Sequence, residues 1–253
     1  MAKVIAIANQ KGGATKTTTA IALAAGLQIR NKKTLLIDTD PQCNASDTYQ
    51  AQIEGVATLY DLLSQGEPVK NTIQHTDIGD IIPCDPLLSE SEKILSKTGK
   101  EHILKKAVTP ICNEYDYIII DTPPALGVLL LNALTFANTV IVPITAERYS
   151  LQGLSQFKET INAAQEYTNP SLTISGLLLT RYNGRTNLSK EVAEGMPLIA
   201  NQLNTIVFDT QIRESVATKE AQALRKSLYA HAASSTTAKD YLAFVDELIK
   251  RGI

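Results

Sequence analysis

The sequence predicts an α/β fold, a doubly wound and mostly parallel sheet with helices on both faces. Three observations carry that expectation. Short apolar runs stop abruptly in polar residues, as strands buried on both faces do. Stretches with helical period fill the intervals between them. The chain has 253 residues, 44% hydrophobic and 20% charged, enough for one large α/β domain with a well-buried core. Strand alternating with helix then implies right-handed βαβ units.

The elements follow in order. VIAIA (4–8) is the first strand, and KTTTAIALAAGLQIR after it repeats apolar residues at helical spacing through Ile21, Ala24, Ala25 and Leu27. TLLID (34–38) is the second strand and IGDIIP (78–83) a weaker one. YIIID (117–121) precedes the helical GVLLLNALTFAN, and TVIVPIT (139–145) precedes SLQGLSQFKETINAAQEY. LTISGLLLT (172–180) and NTIVF (204–208) complete the strands, and TTAKDYLAFVDELIKRG closes the chain as a helix. No repeat, low-complexity tract or linker breaks this order, so a single domain over residues 1–253 is expected.

Composition narrows the function. The 24 basic and 26 acidic side chains leave a formal charge of −2, so any DNA-binding surface must be a local patch or one made by oligomerisation. Cys43, Cys84 and Cys112 are far apart and form no CxxC pair, which argues against a disulfide framework, a zinc ribbon or a paired-cysteine cluster site. His75, His102 and His231 show no metal spacing. The N-terminal apolar stretch is too short for a secretory segment, and no apolar span reaches about 18 residues. A soluble protein of the reducing cytoplasm is expected.

In such a sheet, ligands bind beyond the carboxyl ends of the strands, so the residues after each apolar run are the ones to read. The first run leads into NQKGGATKTTT (9–19). The usual phosphate loop has Gly, four residues, then Gly-Lys-Ser/Thr. Counting back from Lys16, those two glycine positions hold Gln10 and Thr15. Gly12 and Gly13 still permit close backbone approach, Lys16 offers a charge to β- and γ-phosphates, and the Thr17 hydroxyl can ligate Mg²⁺. A glycine turn before a capped helix would look similar. The second run ends in Asp38-Thr39-Asp40-Pro41, two carboxylates on one face; beside a triphosphate they suit a metal and a water. A turn with a helix-capping aspartate is the plainer alternative. YDYIIIDTPP (115–124) ends in Asp121 at a Walker-B position. LLLTRYNGRTNLS (177–189) sets Thr180, Arg181 and Tyr182 to meet a base, unless it is an ordinary surface loop.

Together, KGGATKTTT (11–19), LLIDTDPQCNAS (35–46), YDYIIIDTPP and LLLTRYNGRTNLS resemble the ParA/MinD family of deviant Walker-type ATPases, nearest its small Soj-like ParA members. The resemblance implies a P-loop NTPase fold. That family's loop reads KGGxxK followed by Ser or Thr, so Gln10 is normal, although Gly is usual where Thr15 stands. It implies ATP cradled by Gly12, Gly13, Ala14, Thr15, Lys16, Thr17 and Thr18, with Arg181 and Tyr182 at the base. Catalysis would rest on Lys16, on Asp40 as the residue that positions water, and on Lys11. This signature lysine would reach across a two-fold interface to the partner's nucleotide. Thr17, Asp38 and Asp121 would serve Mg²⁺.

The resemblance further implies slow Mg²⁺-dependent hydrolysis, an ATP-bound homodimer and DNA binding without sequence preference. It also implies a ParB-like centromere-binding partner that stimulates hydrolysis on the bacterial nucleoid. Arg185 leads the DNA-binding candidates. Arg213 and Lys219 lie in a second segment, where Ala217 stands about where an arginine is expected, and Arg225 and Lys226 can extend the patch. MinD-like relatives dock on membranes through an amphipathic tail. Here the stripe of Tyr241, Leu242, Val245, Leu248 and Ile249 opposes Asp240, Asp246 and Glu247, not a basic row, so a core-covering helix and no membrane contact are expected. The chain begins almost directly with the first strand, so no N-terminal helix-turn-helix extension is expected. Thr15 keeps open a third reading, a scaffold that binds nucleotide without hydrolysing it.

Overall fold

The computed structural model describes residues 1–147 and 154–253. In chain order the elements are β1 (Lys3–Ile7), α1 (Lys16–Ile29), β2 (Thr34–Asp38), α2 (Asn44–Thr48), α3 (Leu59–Ser64), α4 (Val69–Thr72), β3 (Gln74–His75) and β4 (Asp80–Ile82). Then come α5 (Ser91–Ile94), α6 (Ile103–Val108), β5 (Tyr117–Asp121), α7 (Val128–Phe136), β6 (Thr139–Thr145) and α8 (Leu154–Tyr167). The last are β7 (Thr173–Thr180), α9 (Asn187–Gln202), α10 (Val216–Ala223), α11 (Leu228–Ala232) and α12 (Thr236–Lys250). The expected helix opening at Ser150–Gly153 lies outside the described residues.

The strands form one sheet in the order β3-β4-β2-β5-β1-β6-β7, parallel except for β3, which pairs antiparallel with β4 at one edge. The α/β doubly wound class is therefore correct. Alternation along each strand builds the two apolar layers. Val4, Ala6, Leu35, Ile37, Ile118 and Ile120 face one layer with α6, α7 and α8. Ile5, Ile7, Leu36 and Ile119 face the other, against α1 and α12. Because both faces are apolar, these strands read as unbroken hydrophobic runs.

Gly26 allows α1 to approach the C-terminal helices closely. A Cβ there would stand 2.8 Å from both Tyr229 Oη and Val245 Cγ2. The α12 stripe is buried as expected, with Tyr241, Val245 and Leu248 at most 1% exposed. Its acidic face is spent on the protein itself. Asp246 pairs with Arg30 (2.6 Å), Asp240 with Arg213 (2.6 Å), and Glu247 accepts the Asp209 and Thr210 backbone N–H groups (both 2.9 Å). Among the described residues, no helix is long and apolar enough to cross a membrane.

One expected strand is absent. NTIVF (204–208) makes only a single bridge, Val207 to Leu177. The segment starts a ladder beside β7, through Leu177 N–H to Ile206 (2.9 Å) and Phe208 N–H to Leu177 (3.0 Å). Glu247 then takes the next two N–H groups, and the ladder breaks. Contact resumes at Ile212, whose N–H donates to Leu179 at 2.8 Å.

Candidate active site

Sheet register brings the predicted strand ends together. Asp121 closes β5 opposite Ile7 of β1 and opposite Asp38 of β2. The chain leaving β1 is braced by Asn9, whose amide donates to the Pro143 carbonyl (2.8 Å) while its Oδ1 accepts the Lys11 N–H (3.0 Å). Gly13 has φ 74°, and no atom lies within 4 Å of where a Cβ at Gly12 or Gly13 would sit. Thr15 is also left-handed, at φ 60° and ψ 20°. Lys16 begins α1, a helix of 14 residues with no side-chain cap and no acid in its first turn. Its first N–H groups and the positive end of its dipole are thus available to an anion.

Three carboxylates face this loop with different commitments. Asp38 is fully buried, and its Oδ2 accepts from the Ser46 N–H (2.8 Å) and hydroxyl (2.7 Å) while Oδ1 accepts the Asp40 N–H (3.1 Å). Asp40 accepts the Gln42 N–H at 3.1 Å and lines the cavity. Asp121 is fully buried, and neither of its oxygens has a hydrogen-bond partner. Burial, then the Asp38 charge, push its proton affinity far above the ordinary carboxylate range, and the Thr17 hydroxyl and Lys16 ammonium oppose the rise. Asp38 is raised too, chiefly by burial, against the pull of its Ser46 and Asp40 hydrogen bonds. Lys16 is buried and lowered by desolvation, while Asp121 and Asp40 favour its charged form.

An orphaned buried carboxylate beside a hydroxyl fits a hard cation. Among the described residues, no cluster of three or more His, Cys, Asp or Glu could hold a metal alone. A cation here therefore needs phosphate oxygens and water besides Asp121 and Thr17, which is the coordination habit of Mg²⁺. The cavity above the loop measures about 450 Å³. Its walls include the loop from Gly12 to Thr18, Asp40, Thr180 and Arg181, with a far wall at Ile212–Ser215. That volume suits a small organic ligand.

The family model described as an AAA domain matches residues 2–174. The chain is 36% identical over 253 residues to the chromosome partitioning protein ParA of Myxococcus xanthus, covering 98% of this chain and 88% of that relative. It is 37% identical over 256 residues to the sporulation initiation inhibitor protein Soj of Bacillus subtilis, covering 100% of each. This chain belongs to the ParA/MinD family of deviant Walker-type ATPases. Among solved structures, the ParA-like fold is shared with a Mycobacterium smegmatis protein described as cobyrinic acid a,c-diamide synthase, solved with bound ADP and magnesium. That match has TM-score 0.86 and 32% identity, over 100% of this chain and 96% of the other.

Within this ParA-family site, the remaining predicted residues take distinct places. Ala14 is buried under the loop, and Thr18 receives a hydrogen bond from the Gln222 amide (2.9 Å). Arg181 reaches the cavity, but Tyr182 is not in its lining; the Tyr182 ring lies beneath Gly184 and packs on the core. Lys11 pairs with Glu147 at 3.0 Å, and Glu147 also holds Arg181 at 2.8 Å. Sequence reading passed over Glu147, although the strand-end rule applied to TVIVPITAE would have reached it. Arg185 is exposed on the turn before α9 with no ion-pair partner among the described residues. Arg213 is instead gripped by both oxygens of Asp240 (2.6 and 2.9 Å). Lys219 is exposed at the rim of the nucleotide cavity.

Proposed function

We propose that this ParA-family chain is a partition ATPase acting as a single domain. It binds Mg²⁺–ATP above the Gly12–Thr18 loop, dimerises around the nucleotide, and in that state binds DNA without sequence preference. A ParB-like centromere-binding partner stimulates hydrolysis and release, on the nucleoid of the bacterial cytoplasm. The observation that carries the reading is the unpartnered Asp121 carboxylate facing the uncapped start of α1. The resemblance to ParA and Soj, and the M. smegmatis relative solved with an ATP analog and magnesium, support it.

The residues divide the work. Thr17 and Asp121 would hold Mg²⁺, which when bound neutralises charge on the phosphate oxygens. The α1 N–H groups and Lys16 orient the β- and γ-phosphates. Asp40 keeps one oxygen on the Gln42 N–H and offers the other to a water. Asp38 braces the Asp40 segment by accepting its N–H, and is itself held by Ser46 of α2. Lys11 crosses to the partner's nucleotide once it leaves Glu147. Among the described residues, the arginines in the cavity wall are engaged by the protein's own carboxylates, Arg181 by Glu147 and Glu214 and Arg213 by Asp240, so turnover is slow without the partner.

ATP-bound protein should be retained on DNA at low salt and released by added salt, whereas ADP-bound protein should not be retained. Arg185→Ala should abolish retention and leave ATP-driven dimerisation intact. Equal retention in both nucleotide states, or full retention by Arg185→Ala, rejects the model. A second expectation concerns Glu147. Its pair with Lys11 is partly exposed, with side chains 25% and 43% accessible. Breaking such a pair costs little, so Glu147→Gln should strengthen ATP-dependent dimerisation by about two- to five-fold per protomer in sedimentation velocity. An acidic α12 face already engaged with Arg30, Arg213 and backbone N–H groups gives no support to a membrane-docking role.

A further inference from the structure

Thr15 occupies a backbone conformation that suits glycine and costs a β-branched residue strain, at φ 60° and ψ 20°. Strain of this kind persists only where its surroundings hold it. What holds it is Thr180, the last residue of β7. The Thr15 hydroxyl lies 2.9 Å from Thr180 Oγ1, with the Ala14 carbonyl at 2.7 Å competing for its proton. Thr180 is itself immobile: it is fully buried, its hydroxyl donates to the Ile144 carbonyl (3.2 Å), and its carbonyl accepts the Ala146 N–H (3.0 Å). The contact joins residues 165 apart in sequence. It ties the end of the phosphate loop, where α1 begins, to the carboxyl end of the β6–β7 pair. The start of the loop is held from the same side by Lys11–Glu147–Arg181. The two ties differ in kind, since the charged one is exposed and screened by salt and the hydroxyl one is not.

We propose that Thr15 is a positioning residue, whose hydrogen bond to Thr180 pre-sets the phosphate loop for the nucleotide. The strain is offset by a loop that needs no reordering when phosphate arrives, and preorganisation of this kind appears as affinity. A glycine at position 15 would relieve the strain and lose the tie. This inference rests on the nucleotide reading above.

The test is the dissociation constant of a fluorescent ATP analogue with Mg²⁺, measured on the full chain beside its thermal midpoint. Thr15→Val keeps the branched shape and removes the hydroxyl, and should weaken binding about five- to ten-fold. Thr15→Ser should restore binding to within about two-fold, because it returns the hydroxyl. Thr180→Val, which also loses the bond to Ile144, should weaken binding at least as much as Thr15→Val, and the double variant should be no weaker than Thr180→Val alone, because the Thr15–Thr180 bond is lost once. Thr15→Gly should raise the thermal midpoint of nucleotide-free protein and still weaken analogue binding. A merely structural residue would move both in the same direction. Thr15→Gly binding as tightly as the parent, or multiplying losses in the double variant, overturns the tether. Failure of the parent chain to bind the analogue at all would overturn the nucleotide reading instead.

Discussion

Asp121→Asn is expected to stabilise the nucleotide-free protein and to abolish its ATP hydrolysis. The parent side chain is fully buried, has no hydrogen-bond partner on either oxygen, and stands opposite Asp38 on the neighbouring strand. Asparagine leaves a polar group in the same place but removes the buried charge and its repulsion with Asp38, so the thermal midpoint should rise by on the order of 5 °C in a chain of this length. The gain has a pH signature. Asp121 binds its proton more tightly folded than unfolded. The native state therefore holds the greater number of protons above the unfolded carboxylate range. Parent stability falls as pH rises from that range through the folded value, and levels off above it. Asparagine cannot titrate, so its advantage should grow as pH rises above the unfolded carboxylate range (in buffer with chelator and no nucleotide). Hydrolysis with Mg²⁺ should drop about 100-fold or more. Wild-type turnover, or a variant less stable at every pH, would show that Asp121 is an ordinary core acid.

Lys16→Met should shift stability the opposite way. Lys16 is 6% exposed, and its charged form is favoured by Asp121 and Asp40 although burial opposes it. Methionine keeps the apolar stem and deletes the cation that Asp121 and Asp40 favour. The nucleotide-free midpoint should fall by several degrees, since removing one partner of a buried charge cluster leaves the others uncompensated. Nucleotide affinity should fall by about 100-fold and hydrolysis below detection, because the β- and γ-phosphates lose their point charge. Asp121→Asn should raise the midpoint by more in the Lys16→Met background than in the parent, because the Asp121 charge is uncompensated there, and should restore none of the activity. Additive changes in the double variant would mean that the two groups do not share one field.

Much of this site could be read before any coordinates. TLLID and YIIID are apolar throughout because both faces of β2 and β5 are covered, and parallel pairing then sets Asp38 against Asp121. What stayed hidden depended on partners distant in sequence. Asp38 and Asp121 look alike as strand-end acids. They differ because Ser46, eight positions downstream, spends two donors on Asp38 and none reach Asp121. NTIVF has the composition of a strand and fails as one because Glu247 claims the next two N–H groups. Arg213 reads as an available cation until Asp240, 27 positions on, closes over it. The left-handed turn at Thr15 was equally hidden, since its support comes from Thr180, 165 positions on.

The broken ladder beside β7 also governs how copies of this molecule can meet. Along that margin the Leu177 N–H and carbonyl and the Leu179 carbonyl are already taken by Ile206, Phe208 and Ile212. At the opposite margin, β3 is two residues long, and the Gln74 side chain is bonded to Gln52. Neither border offers a run of open peptide groups for a neighbour to zip onto. Edge-to-edge pairing of sheets, the simplest route to a fibre, is thus disfavoured at both borders.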